Sequence, residues 1–475
     1  MSQVLGIQDN RNFNLVTKTF FYFFIFFFLK NIFSLNTGFG MAYQFGIFCL
    51  FVFIFSAIFI PKKFLLAHSF ILIFSHPDIT QDNIDVEMFG VLPPASIWQL
   101  SIFGEPIIIW TLLLFFIYFF RLRFLKIDKY LVTIALIFII IPLINSIYYG
   151  FISDLGRVIV DLKFGVMLVL GIIFYNSPII INHKNLHEVF MLIIAGALST
   201  VFYDFIAYLA PIIQGKEYIF KNLSMDVSKI FTIFIFYWSI LKIKFNPQSV
   251  LYLLLIIICL LLIFEYQTRW LLLTLCTGFF FLPLKYSFRI FIFVLASIYL
   301  ITLLYFAENP GVMKMINRFN FFNGLDLETI DPNRYFSIIN AFEVLRQSNG
   351  YIFGMGAGSF FGDSPFLLSK LSTASYDQAS LDAGMYYRLH DIFTLFLFKY
   401  GIFGCIVYAI STLKFINFFN NNEPQDKKDY IFYCTLLCML PTLFTFPFYT
   451  SKGVLITALL YSLFKIIKSH EYRTQ

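Results

Sequence analysis

Charged side chains are what this sequence has least of. Lys, Arg, Asp and Glu make up 13% of its 475 residues, about half the share found in an ordinary soluble domain. In their place 59% of residues are hydrophobic and 21% aromatic, and the mean hydropathy is +0.80. That balance excludes a solvated globular domain and reads as an integral membrane protein. Cysteine is also scarce. Cys49, Cys259, Cys276, Cys405, Cys434 and Cys438 all fall inside apolar runs, so none is set to form an extracytoplasmic disulfide and none has zinc-ligand spacing with histidine. The first apolar run, FYFFIFFFL at Phe21–Leu29, follows Arg11 and Lys18. No small-residue cleavage site comes after it, so it reads as a retained helix and not as a removed signal peptide. Internal repeats and low-complexity linkers are missing too, which leaves one membrane domain.

What is present is a succession of apolar runs from Leu15 to Lys465, each long enough to cross a bilayer at helical rise. The alternating short strands of an outer-membrane barrel do not occur, so the spans are helices. Basic residues recur between alternate runs: Lys62 and Lys63, then Arg121, Arg123 and Lys126, His183 and Lys184, Lys242 and Lys244, Lys285 and Arg289, Lys414 with Lys427 and Lys428, and Lys465 with Lys468. The positive-inside rule makes these turns cytoplasmic. The opposite connections are 75–105, 150–157, 211–227, 265–269, 308–390 and 449–452. The expectation is an all-α polytopic protein of about twelve to fourteen spans with both termini cytoplasmic. Residues 1–306 hold the first spans, 307–390 form a large periplasmic loop, and 391–475 hold the C-terminal spans. The net charge of +7 follows from orienting the helices and calls for no nucleic-acid partner.

The large loop is the one long polar stretch, and connections beyond about 12–15 residues usually carry function or disorder. Its sequence predicts order. In DPNRYFSIINAFEVLRQSNG, Asp331 is a helix N-cap and Pro332 takes the first helical position, where its missing N–H costs nothing. Ile338, Ala341, Phe342 and Leu345 then recur at helical spacing as an apolar face, and Asn349-Gly350 closes the helix. Next comes FGMGAGSFFGDS, with Gly354, Gly356 and Gly358 spaced two apart. A nucleotide cradle needs a preceding strand, a following helix and a Gly-Lys-Ser/Thr ending. None of these is present, so the glycines read as a flexible turn that brings the loop back toward the bilayer.

The candidate chemistry lies in a few ionisable groups. Arg269 occupies the minimal turn EYQTRWLLL, on the side poor in basic residues. It either snorkels to headgroups or binds an anion through its planar fork. Arg334 and Arg388 add two guanidinium groups on the same side, which favours an anionic ligand. His390 ends the loop beside Asp391. An imidazole there titrates near neutral pH and can take a proton from an alcohol while the carboxylate orients it. Arg157, Asp161, Lys163 and Asp204 lie in or near spans, where ionisable groups face a cavity by default. Arg157 and Asp161 are four apart and can pair with each other. No metal site is expected: His183 and His187 lack the Glu of a zinc-protease motif.

The stretch YQTRWLLLTL resembles the Ser/Thr-Arg turn of the O-antigen ligase and polymerase families. The later run RYFSIINAFEVLRQSNGYIFGMGAGSF, followed by RLHDIFTLFLFKYGIFG, is similar to their signature. That signature is an arginine opening a loop helix, a Gly-x-Gly-x-Gly turn, a histidine and a Tyr-Gly-x-x-Gly helix. The matching order covers residues 267–404. The resemblance implies a GT-C-like, metal-independent glycosyltransferase without cofactors, acting on polyprenyl-diphosphate-linked glycans at the periplasmic face of the inner membrane. It implies that Arg269 and Arg334 contact the lipid diphosphate and that His390 activates the acceptor hydroxyl. Arg388, Asp391 and the glycines Gly354, Gly356 and Gly358 then line the substrate side. Asp391 stands where many ligases carry Asn, a change that raises the basicity of His390.

The expected activity is therefore a surface-polysaccharide polymerase that joins a glycan from its polyprenyl diphosphate carrier to a lipid-linked repeat unit. Its partners would be the bilayer, a chain-length regulator and a flippase. The ligase, which delivers a finished glycan to lipid A core, is the nearest alternative. A lipid-linked oligosaccharide flippase or other transporter is the alternative of another class. Transporters place paired charges and Gly-broken helices within the bilayer, whereas this chain concentrates its polar residues in one external loop.

Overall fold

The computed structural model describes residues 101–102, 105–106, 132–133, 135–176, 181, 186–213, 226–245, 250–265, 275, 278, 332–368, 378–387, 389, 392–419, 431, 434–436, 438–439 and 451–474. This part is mostly helical. A π-turn at Leu136–Ile140 runs into α1 (Ile141–Tyr148), and a 3-10 turn at Phe151–Ser153 leads into α2 (Leu155–Tyr175). There follow α3 (Leu186–Ile213), α4 (Asp226–Phe245), α5 (Val250–Glu265), α6 (Pro332–Ser348), α7 (Gln378–Ala383), α8 (Ile392–Phe419) and α9 (Ser451–Thr474). Two antiparallel pairs of two-residue strands complete it. β1 (Ser101–Ile102) pairs with β2 (Glu105–Pro106), and β3 (Phe361–Gly362) pairs with β4 (Met385–Tyr386), Phe361 lying opposite Tyr386.

Two stretches, Leu155–Tyr175 and Leu186–Ile206, are long and apolar enough to cross a membrane. α4 is apolar on every side and buried from Ile230 to Leu241, as expected of a helix enclosed by neighbours; α3 and α5 pack against it. α2 packs against α9 closely enough that a Cβ on Gly171 would lie 2.8 Å from the Ala458 methyl. The start of α2 is set locally. Asp154 caps it by accepting from the Arg157 N–H at 3.2 Å, which satisfies one of the orphan donors of the first turn.

The loop helix α6 runs as its sequence predicts, from Pro332 to Ser348. Its end is a Schellman turn: Asn349 takes φ 56, Gly350 N–H donates to Leu345 O at 2.9 Å, and Asn349 N–H reaches Arg346 O. The buried face differs in part from the expected one. Ala341 and Leu345 are buried as expected, but Phe342 is exposed, and Ser337 and Asn340 are buried in its stead. The reason is hydrogen bonding. Asn340 Nδ2 donates to Gly362 O and Phe366 O, at 2.9 and 2.8 Å, and its Oδ1 accepts from Phe366 N–H at 3.0 Å. One buried amide thus satisfies three main-chain groups that would each cost about 1–3 kcal/mol if left bare. Around it Ala341, Leu345, Met355, Phe361, Leu368, Tyr386, Leu389 and Phe398 form a single core.

Candidate functional site

The site grows out of a break in α8. Gly401 adopts φ 68 and ψ −177, a conformation open to glycine and strained for other residues. The break interrupts the helical ladder and exposes carbonyls of the first half and N–H groups of the second, each of which needs a partner. The glycine turn supplies them. Met355 N–H donates to Phe398 O at 2.7 Å and Gly356 N–H to Lys399 O at 3.1 Å, while Ile402 and Phe403 N–H donate back to Tyr351 O and Ile352 O at 2.8 and 3.0 Å. The glycine turn and the broken helix therefore cap each other.

The three glycines allow this approach. Gly354, Gly356 and Gly358 all have φ between 73 and 87. A Cβ on Gly354 would lie 2.5 Å from the Lys399 carbonyl, and one on Gly356 would lie 2.5 Å from Pro142 O. The side chain of Asn145 donates to Phe353 O and Gly354 O at 2.8 and 3.1 Å, Ser146 Oγ donates to Ala357 O, and Ala357 N–H reaches Pro142 O. The expectation of a flexible turn gives way to a buried one whose five N–H groups from Gly354 to Gly358 all donate within the protein, because backbone inserted between helices must satisfy its polar groups there.

Lys399, one residue before Tyr400-Gly401, is 4% exposed. Its ammonium donates to Asp161 Oδ2 and to Ser359 O, both at 2.7 Å, and the same Asp161 oxygen accepts from Gly358 N–H at 2.7 Å. The expected pairing of Arg157 with Asp161 does not form. Asp161 instead meets the cation that burial leaves most in need of a counter-charge, joining α2, the glycine turn and α8. Arg157 turns the other way. Its Nε lies 2.7 Å from Asp154 Oδ2 and its guanidinium stacks 3.3 Å from the centre of the Tyr387 ring, a planar cation–π arrangement. Burial raises the Tyr387 phenol above its ordinary pKa; Arg157 opposes the shift and Asp154 adds to it.

A row of rings continues from Tyr387 to Phe360 and on to Phe151, with centroids 5.7 Å apart at each step. Asp363 Oδ1 closes the segment, accepting from Tyr386 Oη and Leu368 N–H at 2.9 and 2.8 Å. Leu389, the neighbour of His390, is anchored in the core beneath α6.

Of the residues expected to act, Gly354, Gly356 and Gly358 are packed as described, and Arg334 lies in the first turn of α6. Arg269, Arg388, His390 and Asp391 lie outside the described residues. Sequence reasoning missed the pairing of Asp161 with Lys399. The signal was a lone lysine inside the apolar run IFTLFLFKYGIFG, which demands a partner. It also missed the break at Gly401, although paired charges and a Gly-broken helix were the stated marks of a transporter; both occur here. Among the described residues no three His, Cys, Asp or Glu side chains converge as a metal-binding group. No family model, no curated protein and no solved structure matches the chain.

Proposed function

We propose that this chain is a polytopic glycosyltransferase of the inner membrane. On this reading it polymerises a surface polysaccharide by moving a glycan from polyprenyl diphosphate to a lipid-linked repeat unit at the periplasmic face. The observation that carries the reading is the interlock of the two glycine motifs. The Gly-x-Gly-x-Gly turn and the Tyr-Gly-x-x-Gly helix, which the resemblance sets in order along the sequence, cap each other's backbone. The arginine-opened helix α6 shares their core.

In the proposed reaction the bond from the anomeric carbon to the diphosphate oxygen breaks, and the leaving oxygen keeps the electron pair. Arg269 and Arg334 stabilise that charge. The acceptor hydroxyl forms the new bond to the anomeric carbon, and its proton passes to His390, which Asp391 orients. Arg388 and the oriented guanidinium of Arg157 extend the anion-binding group. The spans expected outside the described residues, the cytoplasmic termini, a chain-length regulator and a flippase belong to the same reading. The ligase reading shares every step and differs in the acceptor.

One observation favours a transporter: a broken helix beside a buried ion pair. Against it, the Phe398 and Lys399 carbonyls and the Ile402 and Phe403 N–H groups beside the break are bonded to the glycine turn and so are not free to hold a cargo. Alanine at Arg269, Arg334 and His390, each tested singly, separates the two. The enzyme reading expects loss of polymer in each variant at normal protein level. Normal polymer length in all three would sink it.

A further inference from the structure

Residues 351–359 belong to a connection that charge patterning assigns to the aqueous side, yet their surroundings have the character of a bilayer interior. Gly356 packs on Pro142, Asn145 and Ser146 of α1, and Gly358 packs on Val158 of α2. These contacts lie two to six residues inside the ends of α1 and α2, or about 3–9 Å at helical rise.

At that depth twelve of the segment's eighteen main-chain N–H and C=O groups are bonded within the protein. The N–H groups of Gly354, Met355, Gly356, Ala357 and Gly358 all donate, and the carbonyls of Tyr351, Ile352, Phe353, Gly354, Gly356, Ala357 and Ser359 all accept. A water-exposed loop has no need of so many internal bonds, whereas irregular backbone at membrane depth depends on them. The side chains that point outward are apolar. Ile352 is 61% exposed and Phe353 is 49% exposed. They continue two apolar stripes, Ile140, Ile144 and Ile147 on the α1 side and Phe403, Ile406 and Ile410 on α8. The Phe353 and Phe403 rings are 5.8 Å apart, and Asn145 ties Phe353 to α1.

We propose that 351–359 is a re-entrant segment seated in the hydrocarbon of one leaflet, with lipid acyl chains as the occupant against Ile352 and Phe353. The broken helix α8 is the receptacle that makes this possible, because its free carbonyls and N–H groups replace the water that the turn would otherwise need. The proposal depends on the chain spanning a membrane and not on its activity.

The test is hydroxyl-radical footprinting of the unaltered full chain in lipid nanodiscs, read by mass spectrometry. Met385, on β4 and 39% exposed, reports the aqueous side. Met385 is oxidised and labelling of Ile352 and Phe353 is lost, as it is for Ile406 and Ile410. Labelling of Phe353 in proportion to its exposure would overturn the proposal. As a second measurement, Phe353→Trp in vesicles of brominated-chain lipid is quenched relative to the parent chain; an added signal unaffected by bromine and quenched by aqueous iodide would also overturn it.

Discussion

Removing Asp161 is expected to destabilise the protein more than removing Lys399, although the two share one ion pair. Lys399 is 4% exposed, and without Asp161 it keeps Ser359 O as its hydrogen-bond acceptor. An ammonium stranded in this way costs about 3–5 kcal/mol. The Asp161 side chain is 28% exposed and keeps the Gly358 N–H if Lys399 is lost, so water screens the remaining charge and the cost falls to about 1–3 kcal/mol. Asp161→Leu and Lys399→Met together remove both charges and leave one donor and one acceptor unbonded. The double variant is therefore more stable than the sum of the singles by about 1–3 kcal/mol. The assay is a double-mutant cycle on unfolding in detergent micelles. Additivity within about 0.5 kcal/mol, or a larger loss for Lys399→Met than for Asp161→Leu, would refute the reasoning.

Three further outcomes follow from the same packing. Gly356→Ala brings about 1–2 kcal/mol of left-handed strain together with the collision at Pro142 O, and lowers the melting temperature clearly, whereas Gly156→Ala, in ordinary contact with Asp154, leaves it near the parent value. Asn340→Leu strips Gly362 O, Phe366 O and Phe366 N–H of their partner and costs at least about 3 kcal/mol, which limited proteolysis detects as faster cleavage near Phe366. Glu343 accepts from Arg346 and Gln347 at 2.6 and 2.9 Å, and the Arg346 bond above all holds its carboxyl below the usual carboxylate range. A lowered folded pKa contributes stability above the unfolded value of about 4.3, lost as pH falls through the folded one. Glu343→Gln therefore melts slightly below the parent at neutral pH and level with it in acid.

The parts of the fold that are local were legible in the sequence. Pro332 and Asn349-Gly350 bound α6 because caps depend on one or two residues, and the buried Ala341 and Leu345 follow from helical spacing. Phe342 was misjudged because hydrophobicity alone ranks it above Asn340. The amide won the buried position by bonding three backbone groups that lie 22 to 26 residues away. Arg157 and Asp161 satisfy the spacing for an intrahelical pair, but a spacing rule cannot weigh Lys399, which lies 238 residues further on and is more deeply buried. The glycine turn illustrates the same limit. Three alternating glycines announce positive φ and a close approach; what approaches them is set by a break in a helix some fifty residues later. The candidate site was legible in the order of its motifs and hidden in their contacts.

The central claim is polymerisation of a lipid-linked glycan, and the lipopolysaccharide banding of a strain lacking this chain tests it most directly. A core capped by a single repeat unit, restored to a full ladder by the parent chain, is the predicted result. Bare core with long glycan retained on its carrier would move the activity to a ligase, and an unchanged ladder would contradict the glycosyltransferase reading altogether.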